Sequence, residues 1–343
     1  MQMTNNYLEG FMSTSNFGES FKGLIRAFSN IHHQGDKKNI FLFATPRGGS
    51  TWVMEILSSQ PGMKYYDEPF SVRRPNVQKV SRFKKWEDLM PEAEREEDII
   101  QYLRELSNNK IGVMNPTPFR KYWNFYTKRI VFKIHELEHL INPIKEKCNG
   151  QILYLLRHPI PTSLSRNVLP RLDLYLNSDF YSKRYLTPEK IIKIKNICET
   201  GSKLEQGIIA WCLENILPLK YSDTSDWLFV TYEELLLKPY TVCHVMADKL
   251  ELEREDLMLK AVDVPSVNID MSGIHTKKIL QDRDTERRRI KMFTKWKNAI
   301  NDGDEERCFE IMDLFKIDAY TYNNYFANAR YLHDDTTLKW DQY

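Results

Sequence analysis

The feature that most constrains this fold is the run Ile40-Phe41-Leu42-Phe43-Ala44-Thr45, followed at once by Pro46-Arg47-Gly48-Gly49-Ser50-Thr51. A short apolar run without polar alternation reads as a strand buried on both faces, as in a parallel sheet covered by helices. Pro46 breaks the run. Trp52, Val53, Ile56 and Leu57 then recur at helical spacing, and Pro61-Gly62 closes that helix. In an open α/β sheet, ligands sit beyond the carboxyl ends of the strands, where this loop lies. Two glycines let successive N–H groups curl toward one anion. The helix N-terminus adds partial positive charge. Ser50 and Thr51 offer hydroxyl donors, Arg47 offers a fork for phosphate or sulfate, and Trp52 offers a flat face for a base. A plain strand-to-helix turn with Ser50 as N-cap would use the same residues.

Met63-Lys64-Tyr65-Tyr66, Ile130 to Ile134, Ile152 to Leu156 and Trp227 to Thr231 are further strand candidates. Helical patterns cover 162–169, 203–221, 240–250, 255–261 and 304–315, and the charged stretch 84–109 reads as a solvated helix. The alternation predicts an α/β fold: an open, mostly parallel sheet of about five strands with helices on both faces. Residues 1–38 read as a peripheral arm with one possible helix from Phe17 to Phe28. Residues 39–320 read as one domain and 321–343 as a tail.

Lys plus Arg number 49 against 47 for Asp plus Glu, too balanced for a protein that coats nucleic acid. No apolar run approaches the roughly 20 residues of a membrane span. The first twenty residues lack a basic start and an apolar block, so no secretory signal is expected and the expected location is cytoplasmic. Five widely spaced cysteines argue against a disulfide framework or a structural zinc site.

The loop lacks the G-x-x-x-x-G-K-[ST] spacing of nucleotide triphosphatases. Pro46-Arg47-Gly48-Gly49-Ser50-Thr51-Trp52, with Glu55-Ile56-Leu57 behind it, resembles the 5′-phosphosulfate loop of sulfotransferases that use 3′-phosphoadenosine 5′-phosphosulfate (PAPS). Cytosolic members carry P-K-S-G-T-T-W; Arg47 stands at the Lys, as is usual in carbohydrate sulfotransferases. Leu155-Leu156-Arg157-His158-Pro159 with Ser165 resembles the family's 3′-phosphate motif, R-x-P with Ser eight residues after the Arg. Pro161 departs from the Asp often found there. Thr231-Tyr232-Glu233-Glu234-Leu235 with Pro239 resembles Y-E-D-L…P, which implies Tyr232 near the adenine. Arg287-Arg288-Arg289 before Trp296 resembles the basic segment that closes over the 3′-phosphate, which implies a role for Arg288.

Two residues resemble the family's bases. Glu68-Pro69 follows Arg47 at the spacing seen in Golgi galactose and N-acetylglucosamine 6-O-sulfotransferases, and Glu68 is the preferred base. Lys133-Ile134-His135 resembles the cytosolic K-T-H, which makes His135 the alternative. His135-Glu136-Leu137-Glu138-His139 is formally H-E-x-x-H, but Pro143 cuts the helix that motif needs and Pro159 occupies the third-ligand position.

The resemblance spans about 39–320 and implies a P-loop-NTPase-like sheet, PAPS as co-substrate and no metal. It implies in-line sulfuryl transfer to a hydroxyl, catalysed by Glu68, Arg47 and His135. Arg47, Gly48, Gly49, Ser50, Thr51, Trp52, Arg157, Ser165, Tyr232 and Arg288 would bind the nucleotide. The expected acceptor is a carbohydrate or glycolipid, with a small alcohol, phenol or lipid as the alternative. A nucleotide-binding module without turnover is the non-enzyme alternative. No nucleic-acid partner is expected.

Overall fold

The computed structural model describes residues 31–108, 110, 121–266, 279, 282 and 284–334. Five strands form its main sheet: β1 (Asn39–Ala44), β2 (Met63–Asp67), β3 (Arg129–Ile134), β4 (Gly150–Leu156) and β5 (Leu228–Thr231). All pairings are parallel, in the order β2-β3-β1-β4-β5. Every residue of β1 and β3 is buried, as their apolar runs require. A separate two-residue pairing joins Ile31–His32 to Tyr126–Thr127.

The topology positions the site. After β1 the chain passes through helix α1 (Ser50–Ser58) to the edge strand β2, returns to β3, and then crosses to β4 on the other side of β1. The winding therefore reverses at β1, and a crevice opens at its carboxyl end. Register fixes what surrounds that crevice. Phe43 lies opposite Ile134 and Tyr154, and Ala44 lies opposite Leu155. The loop after β1 thus emerges between His135 and Arg157.

Six helices matter further: α2 (Pro159–Leu164), α3 (Lys203–Lys220), α4 (Tyr232–Leu237), α5 (Glu255–Val262), α6 (Thr285–Thr294) and α7 (Asp304–Phe315). α3 opens on a capping box made by Ser202 and Glu205 and packs against α2 and α7. α5 covers α1, and α6 covers α4.

Two sequence expectations shift. The pattern at 84–109 becomes two 3-10 turns, Trp86–Leu89 and Pro91–Ala93, before a helix at Glu96–Ser107; Pro91 lacks the N–H that a continuous helix would need. The helix expected at 162–169 begins earlier, because Pro159 is favoured in a first helical turn, and it ends at Leu164. The tail is packed over its described part: Tyr325, Phe326 and Tyr331 are buried, and the N–H groups of His333 and Asp334 donate to Glu234 Oε1 at 2.8 and 2.9 Å. The helix expected at Phe17 to Phe28 lies outside the described residues.

Candidate active site

Two close approaches shape the loop after β1. A Cβ on Gly48 would stand 2.8 Å from the Thr45 carbonyl oxygen, which already accepts the Gly48 N–H at 2.9 Å. Gly49 has φ +95°, and a Cβ there would stand 2.6 Å from the Tyr232 ring. Gly49 rather than Ser50 caps α1. Ser50 is therefore the first helical residue, and its hydroxyl is free for another contact: Oγ lies 2.7 Å from His135 Nε2.

Arg47 holds a left-handed backbone (φ 69°), uncommon for any residue other than glycine. Its side chain is exposed and has no ion pair among the described residues, so the guanidinium stands open to an anion. Thr51 Oγ1 accepts from Lys133 Nζ at 3.0 Å. Trp52 is only 9% exposed. Its Nε1 donates to the Val262 carbonyl at 3.2 Å, and its ring meets Tyr232 edge-on. The indole fastens α5 and Tyr232 to α1 instead of presenting an open face.

Arg157, just beyond β4, reaches the loop. Its Nη1 donates to the Arg47 carbonyl at 2.9 Å, and its guanidinium lies 4.0 Å from the centre of the Tyr232 ring. Its Nε is buried without a partner among the described residues. Arg47, Arg157 and Tyr232 thus meet at one loop. The other two expected nucleotide residues make no bond to this loop among the described residues. Ser165 is exposed at the end of α2, its hydroxyl 3.1 Å from the carbonyls of Pro161 and Thr162. Arg288, on α6, approaches Asp263 at 3.9 Å.

On the other side of the loop, Glu68 directly follows β2 with φ 54°. Its carboxylate lies 2.9 Å from Lys133 Nζ, 3.2 Å from Arg74 and 3.5 Å from His135 Nδ1. Burial works to raise the Glu68 pKa, but the fields of Lys133 and Arg74 outweigh it and hold the carboxyl below its usual range. His135 moves far below its ordinary value, first through burial and then through the positive charges of Lys133 and Arg171. It is a neutral imidazole at pH 7. Glu68 beside Nδ1 favours a proton there, which leaves Nε2 as the acceptor facing Ser50. A neutral nitrogen with a free pair can take a proton. A carboxylate held between two cations is a weaker base and a better orienting group.

The H-E-x-x-H pattern does not lie on a helix. His135 follows β3, Leu137 is left-handed (φ 69°), and Glu138–Leu140 is a 3-10 turn. No cluster able to hold a metal is found among the described residues.

Several groups at the site were not singled out from sequence. Lys133 sits inside the quoted K-I-H stretch, yet its bond to Asp67 and Glu68 follows from strand register, which sets Asp67 opposite Lys133. Arg74 and Arg171 carry no local signal. Arg171 donates to the His135 carbonyl at 2.8 Å from a helix 36 residues away.

No protein-family model matches the chain, and no curated protein does. Solved structures do. Three of them are sulfotransferases. One is the sulfotransferase domain of the Synechococcus PCC 7002 olefin synthase, at 16% identity and TM-score 0.41, covering 84% of this chain and 99% of that one. Another is the sulfotransferase domain of the curacin biosynthetic pathway, at 15% identity and TM-score 0.39, covering 82% and 99%. A mouse sulfotransferase complexed with PAP aligns at 14% identity and TM-score 0.38, covering 86% and 88%.

Proposed function

We propose that this chain is a PAPS-dependent O-sulfotransferase. The observation that carries the reading is the meeting of an anion loop with a neutral base: Ser50 Oγ stands 2.7 Å from His135 Nε2. The cradle supports an anionic donor. Gly48 and Gly49 leave no room for side chains, and among the described residues Arg47 has no ion pair and the buried Arg157 Nε has no partner. In this reading the loop N–H groups and Arg47 hold the 5′-phosphosulfate, and Arg157 with Tyr232 holds the nucleoside 3′-phosphate end. Arg288 and Ser165 would join on closure.

The acceptor hydroxyl takes the place of the Ser50 hydroxyl at His135 Nε2. Its oxygen attacks sulfur while the bond from sulfur to the bridging phosphate oxygen breaks in line. The proton passes to Nε2, and the electron pair leaves with adenosine 3′,5′-bisphosphate (PAP). Charge grows on the bridging oxygen as that bond breaks, and Arg47 and the loop dipoles meet it there. Glu68 orients the imidazole and stabilises its protonated form. This reverses the preference for Glu68 drawn from sequence. What supports the reversal is the pair of cations on Glu68 and the contact of His135 Nε2 with Ser50 in the loop. The Arg47 and Glu68-Pro69 pattern supports a carbohydrate or glycolipid acceptor. The contact of Ser50 with His135 supports the second reading, a small alcohol, phenol or lipid.

Two measurements test the reading. PAP at about 100 times its dissociation constant should stabilise the fold by about 2.7 kcal/mol, and ATP should do much less. Radiolabelled PAPS should transfer its label to hydroxyl acceptors, and Arg47→Ala should lose that transfer while Arg47→Lys keeps part of it. Equal stabilisation by ATP and PAP removes the nucleotide assignment. Wild-type transfer rates in Arg47→Ala remove the loop from the reaction.

A further inference from the structure

The peptide bond between Arg157 and His158 is held at both of its polar atoms by side chains from outside the sheet. It lies just past β4, whose last residue in register with β5 is Leu156. The Arg157 carbonyl accepts from Trp211 Nε1 at 3.2 Å. The His158 N–H donates to Glu233 Oε1 at 2.9 Å. Trp211 and Glu233 are both buried. A buried peptide needs partners for its N–H and its carbonyl, and here each partner is a fixed side chain.

The two partners stand on different helices. Trp211 lies in the middle of α3, and Glu233 lies in the first turn of α4. Glu233 is held in turn, because its Oε2 accepts the Tyr320 hydroxyl at 2.9 Å. Its neighbour Tyr232 carries the Arg157 guanidinium 4.0 Å from its ring centre. One helix start therefore holds the root of Arg157 through Glu233 and its tip through Tyr232. Pro159 fixes the backbone φ that follows. α3 also reaches the anion loop. Asn215, four residues after Trp211, donates from Nδ2 to Thr45 Oγ1 at 2.9 Å and accepts the Tyr154 hydroxyl at 2.8 Å. Residues four apart share a helix face. The same face of α3 thus sets where the loop begins and where Arg157 begins.

We infer that Trp211 and Glu233 are positioning residues: by clamping one peptide at its carbonyl and at its N–H, they aim Arg157 at the 3′-phosphate of a nucleotide whose 5′ end lies in the loop. Arginine has a long side chain with much rotamer freedom, and it delivers its fork to one place only from a fixed root. The inference rests on the sulfotransfer reading for the identity of the nucleotide. A role in packing alone would lower stability and weaken every nucleotide alike. A positioning role weakens the nucleotide that carries a 3′-phosphate and spares the one that does not.

Calorimetry on the whole chain with PAP and with adenosine 5′-monophosphate (AMP), which lacks the 3′-phosphate, separates the two roles. Trp211→Phe keeps a ring in the core and removes the donor. It should lower PAP affinity about ten-fold, the scale of one hydrogen bond, and leave AMP affinity within about two-fold. Glu233→Leu removes the acceptor and should act in the same way. Glu233→Gln keeps an oxygen for the His158 N–H and should retain the wild-type preference for PAP. Tyr320→Phe removes the other bond of Glu233 and is the control: it should lower the unfolding temperature and keep the preference. In transfer assays the KM for PAPS should rise in Trp211→Phe while kcat holds, because the 3′-phosphate is bound alike in the ground and transition states. If Trp211→Phe fails to fold, Glu233→Leu against Glu233→Gln carries the test. Equal losses for PAP and AMP, a PAP preference that survives in Trp211→Phe and Glu233→Leu, or a Glu233→Gln as weak as Glu233→Leu overturns the inference. If the wild type binds PAP no better than AMP, the nucleotide assignment fails and the clamp fails with it. If the wild type prefers PAP and the variants keep that preference, the sulfotransfer reading stands and the clamp alone fails.

Discussion

His135 and Glu68 lie within 3.5 Å of each other but should fail differently when altered. His135→Ala removes the proton acceptor, and a positioned base is typically worth about 10²–10⁴ in rate. Single-turnover transfer from PAPS should therefore drop by that range, with PAP affinity nearly intact. Glu68→Gln leaves the imidazole in place and loses only its orientation, so the drop should be smaller. The pH profile adds a sign. A base must be neutral to act, and burial, Lys133 and Arg171 hold the His135 pKa far below 6.5. Turnover limited by this step should stay level through pH 6.5 and fall only on the acid side of it. A dead Glu68→Gln with an active His135→Ala returns the role of base to the carboxylate. Legibility at this scale followed contiguity. Arg47 and Ser50 sit in a short run whose residue types already suggest anion binding, whereas His135 enters only through the resemblance of Lys133-Ile134-His135 to K-T-H. Lys133 as a partner of Glu68, and Arg171 behind His135, depend on register and on a distant helix, which no local pattern reports.

The β1 loop and α1 depend on Gly49 for two separable reasons, the left-handed backbone and the nearby Tyr232 ring. Gly303, the N-cap of α7, has φ +83° with nothing within 4 Å of a Cβ, so it isolates the backbone term. Gly303→Ala should cost about 1–3 kcal/mol of stability through strain alone and leave PAP affinity unchanged. Gly49→Ala carries similar strain and also drives a methyl into Tyr232, which displaces the ring that stacks on Arg157. Its PAP affinity should fall by about ten-fold or more, measured by calorimetry alongside thermal unfolding. Matching losses of PAP affinity in the two variants would mean that the Tyr232 contact does not shape the nucleotide site. Elements were the most legible level. Each main-sheet strand begins or ends within a residue of its expected run, and β1 and β3, buried along their whole length, leave an unbroken apolar signal. The stretch 84–109 reads as one helix because charge hides a break, and Pro91 imposes that break through the backbone.

For the whole molecule, the buried charge network makes stability depend on pH in a direction that can be worked out. Burial lifts Glu136 and Glu138 from an ordinary 4.5 to about 7, with Arg171 opposing the shift in both. The folded chain thus keeps protons that the unfolded chain releases near pH 4.5. The stability these two groups contribute is fully present below that pH and is lost as pH rises to about 7. The network was the least legible part of the sequence, because Arg166 comes from the loop after α2, Arg171 from the helix that follows and Glu214 from α3, and they meet only in the fold. Glu138 has Tyr175 and Arg171 as partners, so replacing it would disturb more than one titration. Glu136 offers the cleaner test. A raised pKa of about 7 against 4.5 corresponds to on the order of 3 kcal/mol. Glu136→Gln cannot ionise and escapes that loss. Relative to wild type, it should gain stability progressively between about pH 4.5 and pH 7, then hold a constant margin above pH 7. Urea unfolding of both proteins at pH 5, 6, 7 and 8, without ligand, measures the margin. A margin that does not change with pH would mean that Glu136 ionises in the folded chain as it does in the unfolded one, and that its charge is already balanced by a group within this protein.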